Sequence, residues 1–266
     1  MSGDPRHAVL LSFDNLGEAA DLERSPDEDE PSGDHPSVTE ALPRLLDRLA
    51  ALDLRATFFV EALNAEVYPD ALRAIAAAGH EVGMHGWRHE RWDALTSAEE
   101  DDLLDRGLGA LRGLGLEIEG FRPPGGALGP RSAKALEARG VRWCSPEGTY
   151  ARRANGIACL PFRWHLVDAY HRLESFAERR VRLGDGARPA SAREAADALL
   201  EALDAPADGP VVVILHPFLM LAPGEIAESD RVLAHLAEHV AQGRRWLAPG
   251  REIAARLGAR LSSAPG

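Results

Sequence analysis

Short apolar runs alternate with stretches of helical period along almost the whole chain, and that alternation limits the folds open to it. Ala8-Val-Leu-Leu-Ser-Phe13 reads as a buried strand. An acidic segment over 22–35, rich in Pro, Gly and Ser, reads as a loop. Ser37 and Glu40 then have the spacing of a capping box, ahead of a helix carrying Leu45, Leu46, Leu49 and Leu52. Further strands are expected over 55–60, 80–84, 119–122, 141–144, 158–162 and 211–215. Helices are expected over 69–78, 97–112, 131–139, 192–202, 226–242 and 251–257. Such alternation predicts a mostly parallel sheet with helices outside it. The 266 residues suit one α/β domain, a distorted (β/α) barrel of seven or eight mostly parallel strands, since such barrels take ~250 residues. A doubly wound open sheet is the alternative. No linker divides the chain, so 1–266 is read as a single catalytic domain.

Composition narrows the partners. The formal net charge is -12 and no basic stripe stands out, which argues against a nucleic-acid partner. No apolar stretch is long enough to span a membrane. Lys134 is the single lysine; the remaining positive charge is arginine, a bias read as genomic rather than functional. Residues 1–7 lack the pattern of a signal peptide. The two cysteines, Cys144 and Cys159, suit reduced thiols better than a disulfide. Together these features lead to an expectation of a cytoplasmic protein with a small-molecule substrate, and they leave a homo-oligomer open.

Unusual polar residues follow several of the expected strands: Asp14 and Asn15, His85 and His89, Arg122, and His216. In a parallel barrel these positions share the carboxyl-end face. Taken singly, an Asp there is most often a turn or cap residue, and a His a buried or surface group. Their recurrence at equivalent strand ends favours a site. His85 and His89 are four apart, so a helical turn would set both imidazoles on one side. Two imidazoles and one oxygen make a catalytic zinc site with open positions. The oxygen comes from Asp14 or Asn15; Asp14 brings charge but must then choose between metal and general base. Arg122 can pair with Asp14 and keep it ionised. In Arg122-Pro-Pro-Gly-Gly126 the prolines stiffen the loop and the glycines admit a ligand, with a backbone N–H for an oxyanion. His216 suits a general acid. In Trp164-His-Leu-Val-Asp-Ala-Tyr-His171, Asp168, Tyr170 and His171 are candidates to hydrogen-bond a substrate. An amphipathic structural turn fits that segment equally well. The acidic segment reads as solvated surface, with a lid as the second choice. His235 and His239 repeat the four-residue spacing on a late helix and are read as surface residues.

Ser12-Phe13-Asp14-Asn15, Gly79-His-Glu-Val-Gly, His85-Gly-Trp-Arg-His89, Arg122-Pro-Pro-Gly-Gly126 and Leu215-His216 occur in the order of the motifs of the polysaccharide deacetylase family (carbohydrate esterase 4), which the chain resembles. The resemblance implies amide hydrolysis with a divalent metal, zinc foremost. It implies that Asp14 is the general base oriented by Arg122, that Asn15, His85 and His89 are the metal set, and that His216 is the general acid. Gly125, Gly126 and Trp87 join Asp168, Tyr170 and His171 as substrate-binding candidates. Two departures stand out. Asn15 takes the place of the family's ligand carboxylate, and Gly125 that of an aromatic residue. The fourth motif is blurred; Trp143-Cys-Ser-Pro-Glu147 is its nearest match, with Glu147 the candidate to tune His216. The His-Gly-Trp-Arg stretch resembles cytoplasmic branches that include ureide and cyclic-imide hydrolases, some of them metal-free. Three expectations follow: an N-deacetylase of an acetylated amino sugar or related small metabolite, a cyclic amide or ureide hydrolase, and a non-catalytic binding protein.

Overall fold

A computed structural model describes residues 7–25 and 30–263, so part of the acidic segment, 26–29, lies outside the described residues. In chain order the elements are β1 (Ala8–Asp14), α1 (Ala19–Arg24), α2 (Leu42–Ala51), β2 (Thr57–Val60), α3 (Asn64–Val67), α4 (Pro69–Ala77), β3 (Glu81–Met84), α5 (Ser97–Gly113), β4 (Gly120–Phe121), α6 (Ser132–Ala138) and β5 (Trp143–Cys144). There follow β6 (Arg152–Ala154), β7 (Ile157–Cys159), α7 (Asp168–Arg172), α8 (Ala177–Leu183), α9 (Ala192–Asp204), β8 (Val211–Leu215), α10 (Pro223–Ala241), β9 (Trp246–Leu247) and α11 (Gly250–Ser263).

The strands form one curled sheet in the order β6-β7-β5-β4-β3-β2-β1-β8. Every pairing is parallel except the β6–β7 hairpin. This is the expected distorted barrel, opened between the β6–β7 hairpin and β8. The chain leaving β7 crosses that gap, and Val167 makes a single parallel bridge to Ile214 of β8. The short β9 pairs Ala8 and Val9 on the edge of β1 that β2 occupies further along, at residues 12–14. β1 and β8 are buried throughout, which explains their unbroken apolar runs: helices cover one face and the barrel interior the other.

Glu81 ties the amino-end face together. Its carboxylate accepts from Thr57 Oγ1 at 2.9 Å, Trp143 Nε1 at 3.0 Å and the Arg251 N–H at 3.0 Å, in the first turn of α11. A buried carboxylate at a helix N-terminus satisfies free N–H groups and meets the positive end of the helix dipole.

Three local expectations change. Ser37 does not cap its helix: residues 37–41 form a π-helical turn, and Ser37 Oγ accepts the Gly17 N–H at 2.9 Å. Real capping boxes stand at Thr96/Glu99 and Ser191/Glu194. The expected loop over 22–35 begins inside α1. The β6–β7 hairpin was not expected, although its turn, Asn155-Gly156, has positive φ at both residues (46° and 85°), the conformation that an Asn-Gly pair favours. Cys144 and Cys159 are free, buried and paired in register on β5 and β7, with sulfurs 3.4 Å apart. Among the described residues no helix is long and apolar enough to cross a membrane.

Candidate active site

Parallel strands bring their carboxyl ends to one face, and almost every one delivers a polar side chain there. Asp14 ends β1 and Asn15 follows it; Glu61 follows β2, His85 follows β3, Arg122 follows β4, Ser145 follows β5 and His216 follows β8.

Arg122 is the centre of the arrangement and is 1% exposed. Its Nη1 donates to Asp14 Oδ1 at 2.6 Å and to Ser12 Oγ at 2.8 Å, and its Nη2 to Ser145 Oγ at 3.0 Å. The guanidinium lies over the Phe59 ring, 4.1 Å from its centroid. Burial pulls the Arg122 pKa down, and the charge of Asp14 opposes that. A guanidinium fork fixes the carboxylate in direction as well as charge.

The Arg122 carbonyl in turn accepts from His85 Nδ1 at 2.9 Å. A proton on Nδ1 leaves the Nε2 lone pair free on the site side, 3.8 Å from Asp14 Oδ2. The His89 ring stands edge-on to that of His85, with centroids 4.9 Å apart. Burial lowers both histidines to about 3, so both imidazoles are neutral near neutral pH. Their convergence does not come from a helical turn. Residues 85–90 are non-helical, with left-handed φ at Gly86 (77°) and His89 (76°). Glu90 folds the loop back by accepting the N–H groups of Trp87 at 2.9 Å and Arg88 at 2.8 Å.

Asn15, also left-handed (φ 59°), donates through Nδ2 to Glu61 Oε1 at 2.5 Å. Glu61 is fully buried, and its Oε2 has no hydrogen-bond partner among the described residues. Burial, reinforced by the charge of Asp14, raises its pKa well above the ordinary carboxylate value. A carboxylate oxygen of Glu61 and ring nitrogens of His85 and His89 lie within 4.8 Å of one another. These donors suit a divalent cation: two neutral imidazoles and a carboxylate with one oxygen left without a partner.

His216 completes the ring of groups. Its Nδ1 bonds Asp168 Oδ1 at 2.5 Å and its backbone N–H bonds Asp168 Oδ2 at 2.8 Å. The Val167–Ile214 bridge sets this register. Burial alone would lower the His216 pKa, but the charge and hydrogen bond of Asp168 outweigh it and the pKa is raised. Asp168, expected to meet substrate, holds His216 instead. Glu147, expected to tune His216, pairs with Arg179 at 3.1 Å.

The other substrate-binding candidates separate. Gly125 (φ 74°) is exposed, with open space where a Cβ would stand. Gly126 is buried; a Cβ there would meet Phe162 at 2.8 Å, and its N–H closes a turn onto Pro123 O. Trp87 is buried in the core under the Arg106 guanidinium. The Tyr170 hydroxyl bonds Asp185, and His171 Nε2 bonds the His165 carbonyl at 3.1 Å. None of these five lines the cavity beside the site.

That cavity, of about 350 Å³, is lined by Asn15, His89 and His216 with apolar Leu173, Phe176 and Phe218. Arg24 and His35, from the two ends of the acidic segment, and Asp21 just before it also line it. The segment is therefore not only solvated surface. It is pinned by Glu18, which accepts from Gly33 N at 2.8 Å and Tyr68 Oη at 2.6 Å. Sequence reasoning missed Glu61 and Ser145, although both obey the strand-end rule that found the others.

His235 and His239 form a second cluster with Asp204, at 2.8 and 3.3 Å. His239 is 6% exposed, so it is not a surface residue as expected. The cluster joins the ends of α9 and α10, on the face opposite the site.

Residues 3–144, more than half of the chain, match the polysaccharide deacetylase family model. A peptidoglycan deacetylase of Helicobacter pylori is 40% identical over 63 residues, 24% of this chain and 22% of that protein. Chitin deacetylase 1 of Saccharomyces cerevisiae is 36% identical over 105 residues, 39% of this chain and 33% of that protein. The chain thus spans at most a third of these two relatives. Among solved structures, a Mycobacterium smegmatis protein provisionally described as a polysaccharide deacetylase superposes with TM-score 0.79 and 28% identity, covering 97% of this chain and 92% of that one. The PuuE allantoinase structure superposes with TM-score 0.75 at 20% identity over the same shares, a likeness of fold. With the strand-end constellation and the matched segment in agreement, the chain belongs to the polysaccharide deacetylase family.

Proposed function

We propose that the protein is a metal-dependent hydrolase of a C–N amide bond, removing acetate from an acetylated amino sugar or a related small metabolite. The observation that carries this reading is the convergence of a buried Asp14–Arg122 pair, two neutral histidines and a His216–Asp168 pair beside one cavity. A divalent cation, zinc foremost, bound at His85 and His89 would supply Lewis acidity toward the amide carbonyl. Asp14, held opposite Arg122, takes a proton from the attacking water. His216 carries its second proton on Nε2 and gives it to the departing amine. The Gly125 N–H, in a loop that a Cβ does not crowd, is the candidate donor to the developing oxyanion. A cavity of about 350 Å³ sits at the low end of the ~300–1,000 Å³ typical of ligand pockets, which favours a small substrate.

The test is acetate release from N-acetylated hexosamines by the purified protein, together with its metal content. The reading expects about one divalent ion per chain, and loss of both ion and turnover in His85→Ala/His89→Ala. A second reading, hydrolysis of a cyclic amide or ureide, is favoured by the similarity to the allantoinase along 97% of the chain. Ring opening without acetate release, in protein free of metal, would replace the first reading with the second.

A further inference from the structure

We infer that Glu61 is the carboxylate ligand of the cation, that Asn15 orients it, and that Asp14 is thereby left free as the base. The inference rests on the metal-dependent reading above and resolves which oxygen completes the site. Asn15 cannot act as a charged ligand, and its amide nitrogen is committed to Glu61 Oε1 at 2.5 Å. Asp14 is committed through Oδ1 to Arg122, in the shortest contact that Arg122 makes within the site. Asp14 Oδ2 also faces the site, 3.8 Å from His85 Nε2, but among the described residues Glu61 alone presents a fully buried carboxylate oxygen, Oε2, with no hydrogen-bond partner. Such an oxygen costs roughly 1–3 kcal/mol, or more when charged, unless a partner is present in the working protein. The partner must be a cation or a donor; His85, whose Nδ1 donates to the Arg122 carbonyl, keeps a lone pair on Nε2, and a cation satisfies that lone pair, a ring nitrogen of His89 and the carboxylate together.

The register of the sheet explains how the carboxylate can stand on β2 instead of β1. Asp14 pairs with Phe59 on the last rung of the β1–β2 ladder, so Asn15 stands one residue and Glu61 two residues past that rung, at the same carboxyl end of the sheet. A carboxylate oxygen delivered from the end of β2 comes within 4.8 Å of ring nitrogens of His85 and His89. The left-handed turn at Asn15 aims its side chain across that gap. The negative charge a dication needs is thus kept, while Asp14 stays with Arg122.

The probe is zinc alone, titrated calorimetrically into chelator-stripped protein, with a second reading from the visible spectrum of the cobalt-substituted protein. Wild type is expected to bind one ion. Glu61→Gln should weaken binding by at least ~100-fold and change the cobalt spectrum. Glu61→Asp, which keeps the charge but shortens the reach, should fall between them. Asn15→Ala should weaken binding by ~10–100-fold, the usual effect of removing a group that orients a ligand. Asp14→Asn should bind zinc almost as wild type does and fail only in turnover. Wild-type affinity in Glu61→Gln, with binding lost in Asp14→Asn, would overturn this assignment and leave metal dependence standing. Absence of zinc binding in wild type would overturn both. The Glu61→Asp and Asn15→Ala titrations decide the matter should Glu61→Gln not fold.

Discussion

At the scale of residues, the polar groups of the site hold one another: Asp14 is held by Arg122, His85 by the Arg122 carbonyl, Asn15 by Glu61 and His216 by Asp168. Arg122 shows the cost of that arrangement. Replacing it with Met would leave Asp14 buried and unpaired, and breaking a buried pair in this way costs ~3–5 kcal/mol. A lowered denaturant midpoint together with abolished turnover is the expected result. Arg122→Lys keeps the charge but loses the fork that reaches Asp14, Ser12 and Ser145 at once. Asp168 makes a pH prediction. It raises the His216 pKa against the effect of burial, and a general acid works only below its pKa. Asp168→Asn should therefore lower that pKa and move the alkaline limb of the kcat profile toward lower pH, with a rate loss of ~10²–10⁴ at the optimum. An unmoved alkaline limb would show that another group is the acid. His216 itself was visible in the sequence as a histidine closing an apolar strand. Its partner was not, because Asp168 lies 48 residues away in a segment with two equally good readings.

Elements differ in how plainly they are written. β1 and β8 are legible because both faces are buried, so the apolar run is continuous. α5 and α9 are legible because a cap and a period agree. The His85–His89 loop is the contrary case. Its spacing imitates a helix, yet left-handed residues and the Glu90 carboxylate build it. Glu90→Ala should loosen His89 and weaken zinc binding by ~10–100-fold, with a thermal midpoint little changed; titration beside a melting curve checks both. The short helices α1, α7 and α8 have too few residues to show a period, and tertiary contacts hold them.

Across the whole molecule, the two faces of the sheet divide the labour. The carboxyl ends carry the candidate site, and the amino ends carry closure through Glu81, Thr57, Trp143 and the start of α11. Glu81→Ala would strand several buried donors at ~1–3 kcal/mol each. Its expected signature is a large loss of stability with kcat and zinc affinity unchanged below the new midpoint; a loss of zinc affinity in the folded variant would contradict the division. Strand–helix alternation and parallel connectivity were enough to bring Asp14, His85, Arg122 and His216 to one face, since that follows from chain direction alone. Chain direction says nothing of which distant side chains share a register. The pairing of His216 with Asp168, and of Asn15 with Glu61 across 46 residues, was settled by the ladder and bridges of the folded sheet. Those contacts leave no local pattern in the sequence, because burial and hydrogen bonding between remote positions exist only once the sheet is assembled.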